Sequence, residues 1–156
     1  MHVTGMVHVN VNCSDYERSL RFYERLGFRV LWEVPEVSSR EVAAAVGMPP
    51  YRVRGALLAL ASGPSTLIDL LEWKDPRDDA APYPHLYHLG LARIALNTSD
   101  LDADVAELES NGVEFLSEPA RLDGPGGSET RFVCFKDPDG TVLELVETRA
   151  RDTAAN

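Results

Sequence analysis

The chain repeats itself. Residues 7–30 (VHVNVNCSDYERSLRFYERLGFRV) align without a gap on residues 92–115 (ARIALNTSDLDADVAELESNGVEF) at an offset of 85. Residues 58–72 align on residues 133–147 at an offset of 75. Asn12/Asn97, Ser14/Ser99, Asp15/Asp100, Glu24/Glu109 and Gly27/Gly112 are identical, and apolar positions fall on apolar positions. Fused copies of one module predict a cleft between them, lined by residues that the repeat itself pairs.

Each copy reads β-α-β-β-β. Val7–Asn12 alternates Val with His or Asn, the pattern of a strand with one apolar and one polar face. Ser14 opens a helix with Glu17 three residues on, a capping-box spacing; Tyr16, Leu20, Tyr23 and Leu26 form its buried stripe, and Gly27 ends it. Phe28–Trp32 is the second strand. The second copy gives a strand at 92–97, a cap at Ser99, the stripe Leu101–Val105–Leu108, Gly112, and a strand at 113–116. Strand pairs follow at 55–61 with 66–72 and at 130–136 with 141–147, the latter turning at Asp139-Gly140.

Three segments break the symmetry. Residues 34–52 carry a short helix at Ser38–Val46, and residues 73–90 form a linker rich in Pro, Asp and aromatics. Residues 118–129 read as a Gly/Pro-rich loop, a candidate lid. The expected organisation is one domain over 1–156: module 1 at about 5–73, a linker at about 74–90, module 2 at about 91–148, and a frayed tail at 149–156.

A chain of 156 residues, 44% of them hydrophobic, suffices for one compact core. Its net charge of −10, with basic residues scattered among acidic ones, leaves no basic stripe for nucleic acid. No apolar run approaches a membrane span, and MHVTGMVHVN lacks a leader's basic and apolar regions, so the expected location is the cytoplasm. Cys13 and Cys134 are too few for a disulfide scaffold. DGPGGS is followed by no helix and contains no P-loop lysine, and no Ser/His/Asp or Cys/His arrangement stands out.

The run H-V-x-V-x-x-S-D-x-x-R-S-x-x-F-Y-x-x-L-G-F at 8–28, with F-x-D-P-D-G-x-x-x-E-L at 135–145, resembles the vicinal oxygen chelate superfamily. That group includes glyoxalase I, bleomycin-resistance proteins and extradiol dioxygenases. The resemblance covers about 7–147 and implies an α+β fold: two tandem βαβββ modules forming a U-shaped, partly closed eight-stranded sheet around a central cleft. It also implies a homodimer that binds a small molecule.

In metal-dependent members of that superfamily, ligands come from the first and last strands of each module. Carried over, these positions are His8, Asp69, Arg93 and Glu144, and the repeat pairs them alike: His8 with Arg93, Asp69 with Glu144. His8, Asn10 and Asn12 share the polar face of the first strand. Arg93 departs from the pattern, because a guanidinium has no lone pair to give a metal and takes a cation's place beside carboxylates. The expected site therefore uses Glu144, Arg93, His8 and Asp69 catalytically without a cofactor; a divalent metal on His8, Asp69 and Glu144 is the alternative. Asn10, Asn12, Trp73 and Tyr51 are candidate ligand contacts; Tyr83 and Tyr87 lie in the linker, and His88 reads as a linker histidine near the pocket mouth.

Three functions compete. The first is a glyoxalase-like enzyme performing metal-independent proton transfer, isomerisation or lyase chemistry on a carbonyl metabolite. The second is a drug- or metabolite-binding protein without catalysis, similar to bleomycin-resistance proteins. A metal-dependent lyase, isomerase or dioxygenase is the third.

Overall fold

The computed structural model describes residues 2–63, 65–124 and 127–149, so the frayed tail expected at 149–156 falls, apart from Arg149, outside the described residues. The chain divides into two compact units, Met1–Ala80 and Ala81–Asn156. Each is an α+β module built on its own open four-stranded sheet, so the eight strands form two hydrogen-bonded sheets of four.

The first unit runs β1 (His8–Asn12), α1 (Tyr16–Arg25), β2 (Phe28–Val34), α2 (Arg40–Ala45), β3 (Arg52–Leu60) and β4 (Leu67–Asp75). Its strand order is β1-β4-β3-β2, with β1 parallel to β4 and the other pairs antiparallel. One face of the sheet is buried against α1. Tyr23 packs edge-on to Phe28 at 5.9 Å, and Leu58, Ile68 and Leu70 fill the same core. Burying each such side chain is worth roughly 1.5–3 kcal/mol.

Helix α1 differs from the sequence reading in detail. Asp15, not Ser14, is its N-cap, accepting from the Arg18 amide at 3.0 Å. Ser14 instead accepts from the Arg18 guanidinium, and Glu17, freed of a capping role, pairs with Arg54. The buried stripe is Tyr16, Ser19, Phe22 and Tyr23, with Leu20 half-buried. The expected second helix is shorter, Arg40–Ala45, capped by Ser39.

The second unit runs β5 (Ile94–Asn97), α3 (Leu101–Ser110), β6 (Ala120–Asp123), β7 (Glu129–Lys136) and β8 (Val142–Arg149), in the order β5-β8-β7-β6. Leu101, Leu108, Val133, Phe135, Leu143 and Leu145 form its core. Asp100, not Ser99, caps α3 by accepting from the Ala103 amide. Gly27 and Gly112 follow the two helices at φ 89° and 80°, a conformation that glycine alone adopts without strain.

One expectation fails here. The strand at 113–116 is reduced to a single bridge between Phe115 and Phe135. The strand that completes the sheet is β6, inside the supposed lid, paired Ala120↔Phe132 through Asp123↔Glu129. β6 and β7 are thus antiparallel neighbours, with the Gly124 amide bonded to the Ser128 carbonyl at 2.7 Å; residues 125 and 126 of the expected loop lie outside the described residues. The DPDG turn forms as read: Asp137, buried, accepts from the Asp139 and Thr141 amides at 3.0 and 2.8 Å.

Both modules bury a glutamate at the same position of the repeat. Glu72 accepts from the Tyr16 amide at 3.2 Å and from Lys74 at 2.6 Å, with Arg77 at 3.5 Å. Its repeat equivalent Glu147 pairs with Arg149 at 2.7 Å and Arg131 at 3.7 Å. Glu72 thereby ties the start of α1 to the sheet. No helix among the described residues is long and apolar enough to cross a membrane.

Candidate functional site

In the first module, the sheet face away from α1 carries the polar residues of β1. Val11 is buried on the helix side, while His8, Asn10 and Asn12 are exposed on the other. The parallel register sets Asn10 opposite Asp69 and Asn12 opposite Leu71. Strand alternation then puts Asp69, Leu71 and Trp73 on this same face.

The contacts follow from that register. The Asn10 amide donates to the Asp69 carbonyl at 2.9 Å, and His8 Nε2 lies 4.0 Å from Asp69 Oδ2. Asp69 Oδ1 is buried and has no hydrogen-bond partner. Burial pushes the Asp69 carboxyl above the ordinary carboxylate range; the His8 ring and the Asn10 amide pull the other way more weakly. A carboxylate in this state binds a proton more readily than a surface aspartate.

At the far end of the face, the Trp73 indole donates to Asn12 Oδ1 at 2.8 Å. Tyr51 leans on Trp73 with ring centroids 4.9 Å apart. All four candidate ligand contacts of the sequence reading, Asn10, Asn12, Trp73 and Tyr51, therefore belong to this module and, with His8 and Asp69, form one continuous patch. Gly55 keeps the sheet flush beside it: a Cβ there would lie 2.5 Å from Leu71 Cδ2.

The second module repeats the arrangement in the same register. Ala95 is opposite Glu144, as Asn10 is opposite Asp69. Arg93, like His8, stands two residues before the facing position and reaches diagonally. Its Nε pairs with Glu144 Oε2, and Glu144 is almost completely buried whereas Arg93 is 44% exposed. The guanidinium thus keeps its remaining donors towards solvent. Cys134, the cross-strand partner of Glu144, brings its thiol to 3.9 Å from Glu144 Oε2. Burial and the charge of Glu144 push this thiol above its ordinary range, so it stays protonated.

Cys134 was missed as a site residue by sequence reasoning, although counting back from the DPDG turn places it opposite Glu144. His88 is stacked on Tyr83 at 4.5 Å, and its Nδ1 lies 3.1 Å from the Leu89 carbonyl. Cys13 and Cys134 are not joined in a disulfide.

Glu144, one of the three implied ligands, is engaged by the Arg93 cation, and His8 with Asp69 supplies two donors. Among the described residues no three His, Cys, Asp or Glu side chains are gathered to hold a metal.

The fold has counterparts among known proteins. Residues 5–145 match the family model described as Glyoxalase/Bleomycin resistance protein/Dioxygenase superfamily. The uncharacterized protein YwkD of Bacillus subtilis (strain 168) is 36% identical over 155 residues, covering 94% of this chain and 99% of that protein. A glyoxalase family protein from Bacillus cereus shares the fold, with a TM-score of 0.80 at 18% identity over 96% and 97% of the two chains. TnmS3, an antibiotic binding protein from Streptomyces sp. CB03234, is similar at a TM-score of 0.62 and 26% identity, covering 96% and 99%.

Proposed function

The chain belongs to the Glyoxalase/Bleomycin resistance protein/Dioxygenase superfamily, and from that premise we propose that it is a small-molecule enzyme acting by metal-independent proton transfer. The substrate class is a carbonyl-containing metabolite, and the outcome is isomerisation or a lyase reaction. The single observation that carries this reading is the half-buried carboxylate of Asp69, whose Oδ1 is shielded from solvent without a hydrogen-bond partner among the described residues.

A proton next to a carbonyl is removed only by a base that is desolvated and positioned, with donors aimed at the oxygen where charge develops. Asp69 is that base. His8, 4.0 Å away, supplies the ring N–H for the developing enolate oxygen, or returns the proton to the neighbouring carbon. Asn10 and Asn12 orient polar groups of the substrate, and Trp73 with Tyr51 gives its apolar part a wall. In the second module, considered by itself, Glu144 holds the half-exposed Arg93 guanidinium, a group suited to binding an anion.

Solvent deuterium exchange tests this. A panel of small α-hydroxy and dicarbonyl compounds is incubated with the full chain in D2O and followed by proton NMR. The proposal expects exchange at a carbon next to the carbonyl of at least one compound, lost in Asp69→Asn. Exchange that persists in Asp69→Asn sinks the assignment.

A second reading, sequestration without chemistry, is favoured by the similarity to TnmS3 and by the aromatic wall of Tyr51 and Trp73. Under it, a bound compound is recovered unchanged and unexchanged after long incubation. A homodimer belongs to either reading; Tyr87 and Leu89, 83% and 90% exposed, offer apolar area for it to cover.

A further inference from the structure

We propose that the concavity at the C-terminal end of α1 is a second binding site, one that takes a small phosphate ester. A cavity of about 470 Å³, broadly open to solvent, is lined by Arg21, Glu24, Arg25 and Arg29. Its walls are set by local structure. Arg21 and Arg25 lie one turn apart on the exposed side of α1. The left-handed turn at Gly27 then swings the start of β2 back so that Arg29 joins them.

Three guanidinium groups in one hollow call for an explanation in a chain with 25 acidic and 15 basic residues. Among the described residues seven other arginines make ion pairs with carboxylates, Arg93 with Glu144 and Arg131 with Asp102 among them. Among the described residues the side chains of Arg21 and Arg25 make no hydrogen bond or ion pair, and Arg21 influences Asp15 only through space. The helix end does not need them. Arg29 already donates to the Glu24 carbonyl at 2.9 Å and to the Phe28 carbonyl, answering the negative pole of α1.

Like charges one helical turn apart repel, and an anion held between them turns that repulsion into attraction. The planar fork of arginine matches the oxygens of a phosphate two at a time. Glu24 on the rim sets the other half of the ligand. A carboxylate repels a bare oxyanion but accepts from a hydroxyl, so the ligand that satisfies all four walls carries hydroxyl groups beside its phosphate. The cavity volume suits a molecule of that size.

Isothermal titration of the full chain at low ionic strength with ribose 5-phosphate tests the assignment, with ribose and sodium sulfate as controls. Saturable one-to-one binding of the phosphate ester is expected, together with none of ribose and weaker binding of sulfate. Arg21→Gln/Arg25→Gln should weaken binding at least tenfold with an unchanged melting temperature, since both side chains are exposed and glutamine suits a helix. Arg21→Lys/Arg25→Lys, which keeps the charge and loses the fork, should fall between. No saturable binding of ribose 5-phosphate, equal affinity for sulfate, or undiminished binding by the glutamine variant would each overturn the proposal.

Discussion

His8 Nε2 stands 4.0 Å from Asp69 Oδ2, while the other oxygen of that carboxylate is buried without a hydrogen-bond partner. The second module places Arg93 and Glu144 in the same diagonal relation, but there cation and carboxylate are in direct contact. One scaffold thus holds two carboxylates in opposite states. Glu144 is neutralised by its neighbour, and Asp69 is left for a proton.

Asp69→Asn should leave the fold intact and change how stability depends on pH. Burial raises the folded carboxyl pKa, so between the unfolded value, about 3.9, and the raised folded value the native state binds more protons. Stability therefore falls as pH rises through that window. The variant should lack this fall when urea midpoints are compared at pH 4 and pH 7.

Glu72→Gln should show the opposite sign. Burial alone would raise the Glu72 pKa, but Lys74, the Tyr16 amide and Arg77 together hold it below the usual range. Its contribution is then fully present above the unfolded value, about 4.3, and is lost as pH falls through the folded one. We expect the variant to lose about 1–2 kcal/mol at pH 7, the size of a charged hydrogen bond whose basic partners stay partly solvated. The loss should shrink towards pH 3 in the same denaturant titrations.

How much of this was legible in the sequence depends on whether a local rule or a distant partner decides. Gly27 and Gly112, identical in the repeat, marked both helix ends because the backbone there demands a left-handed residue. The equivalence of His8 with Arg93 and of Asp69 with Glu144 was legible because both copies keep one strand register, whereas the contacts each makes within its own module were not. The N-caps were misassigned, since Ser14 and Asp15 both satisfy the local rule and tertiary geometry chose the aspartate. β6 was misplaced for a related reason. Its residues read as loop, and only pairing with β7 makes them a strand. Glu72 and Glu147 were identical in the alignment, yet sequence alone does not tell a buried anchor from a solvated face.

Arg93→Met should destabilise the second module by leaving Glu144 buried without its cation. Because Arg93 is 44% exposed, the cost is about 1–2 kcal/mol, below that of a fully buried pair. Glu144→Gln added to Arg93→Met should recover most of it, which a double-mutant cycle in urea reads directly.

Asn12→Ala removes the acceptor of the Trp73 indole. A stability loss of about 0.5–1 kcal/mol is expected. In a Trp32→Phe background the emission of Trp73 should shift to longer wavelength as the ring is freed. An unchanged spectrum would mean that Tyr51 alone fixes the indole.

The most direct test of the account is the carboxyl pKa of Asp69, followed by 13C NMR on the labelled full chain and assigned by comparison with Asp69→Asn. The account predicts a titration midpoint above the ordinary aspartate value of about 3.9. A midpoint at or below that value would contradict it, because a carboxylate so acidic would be a solvated or ion-paired group and no base.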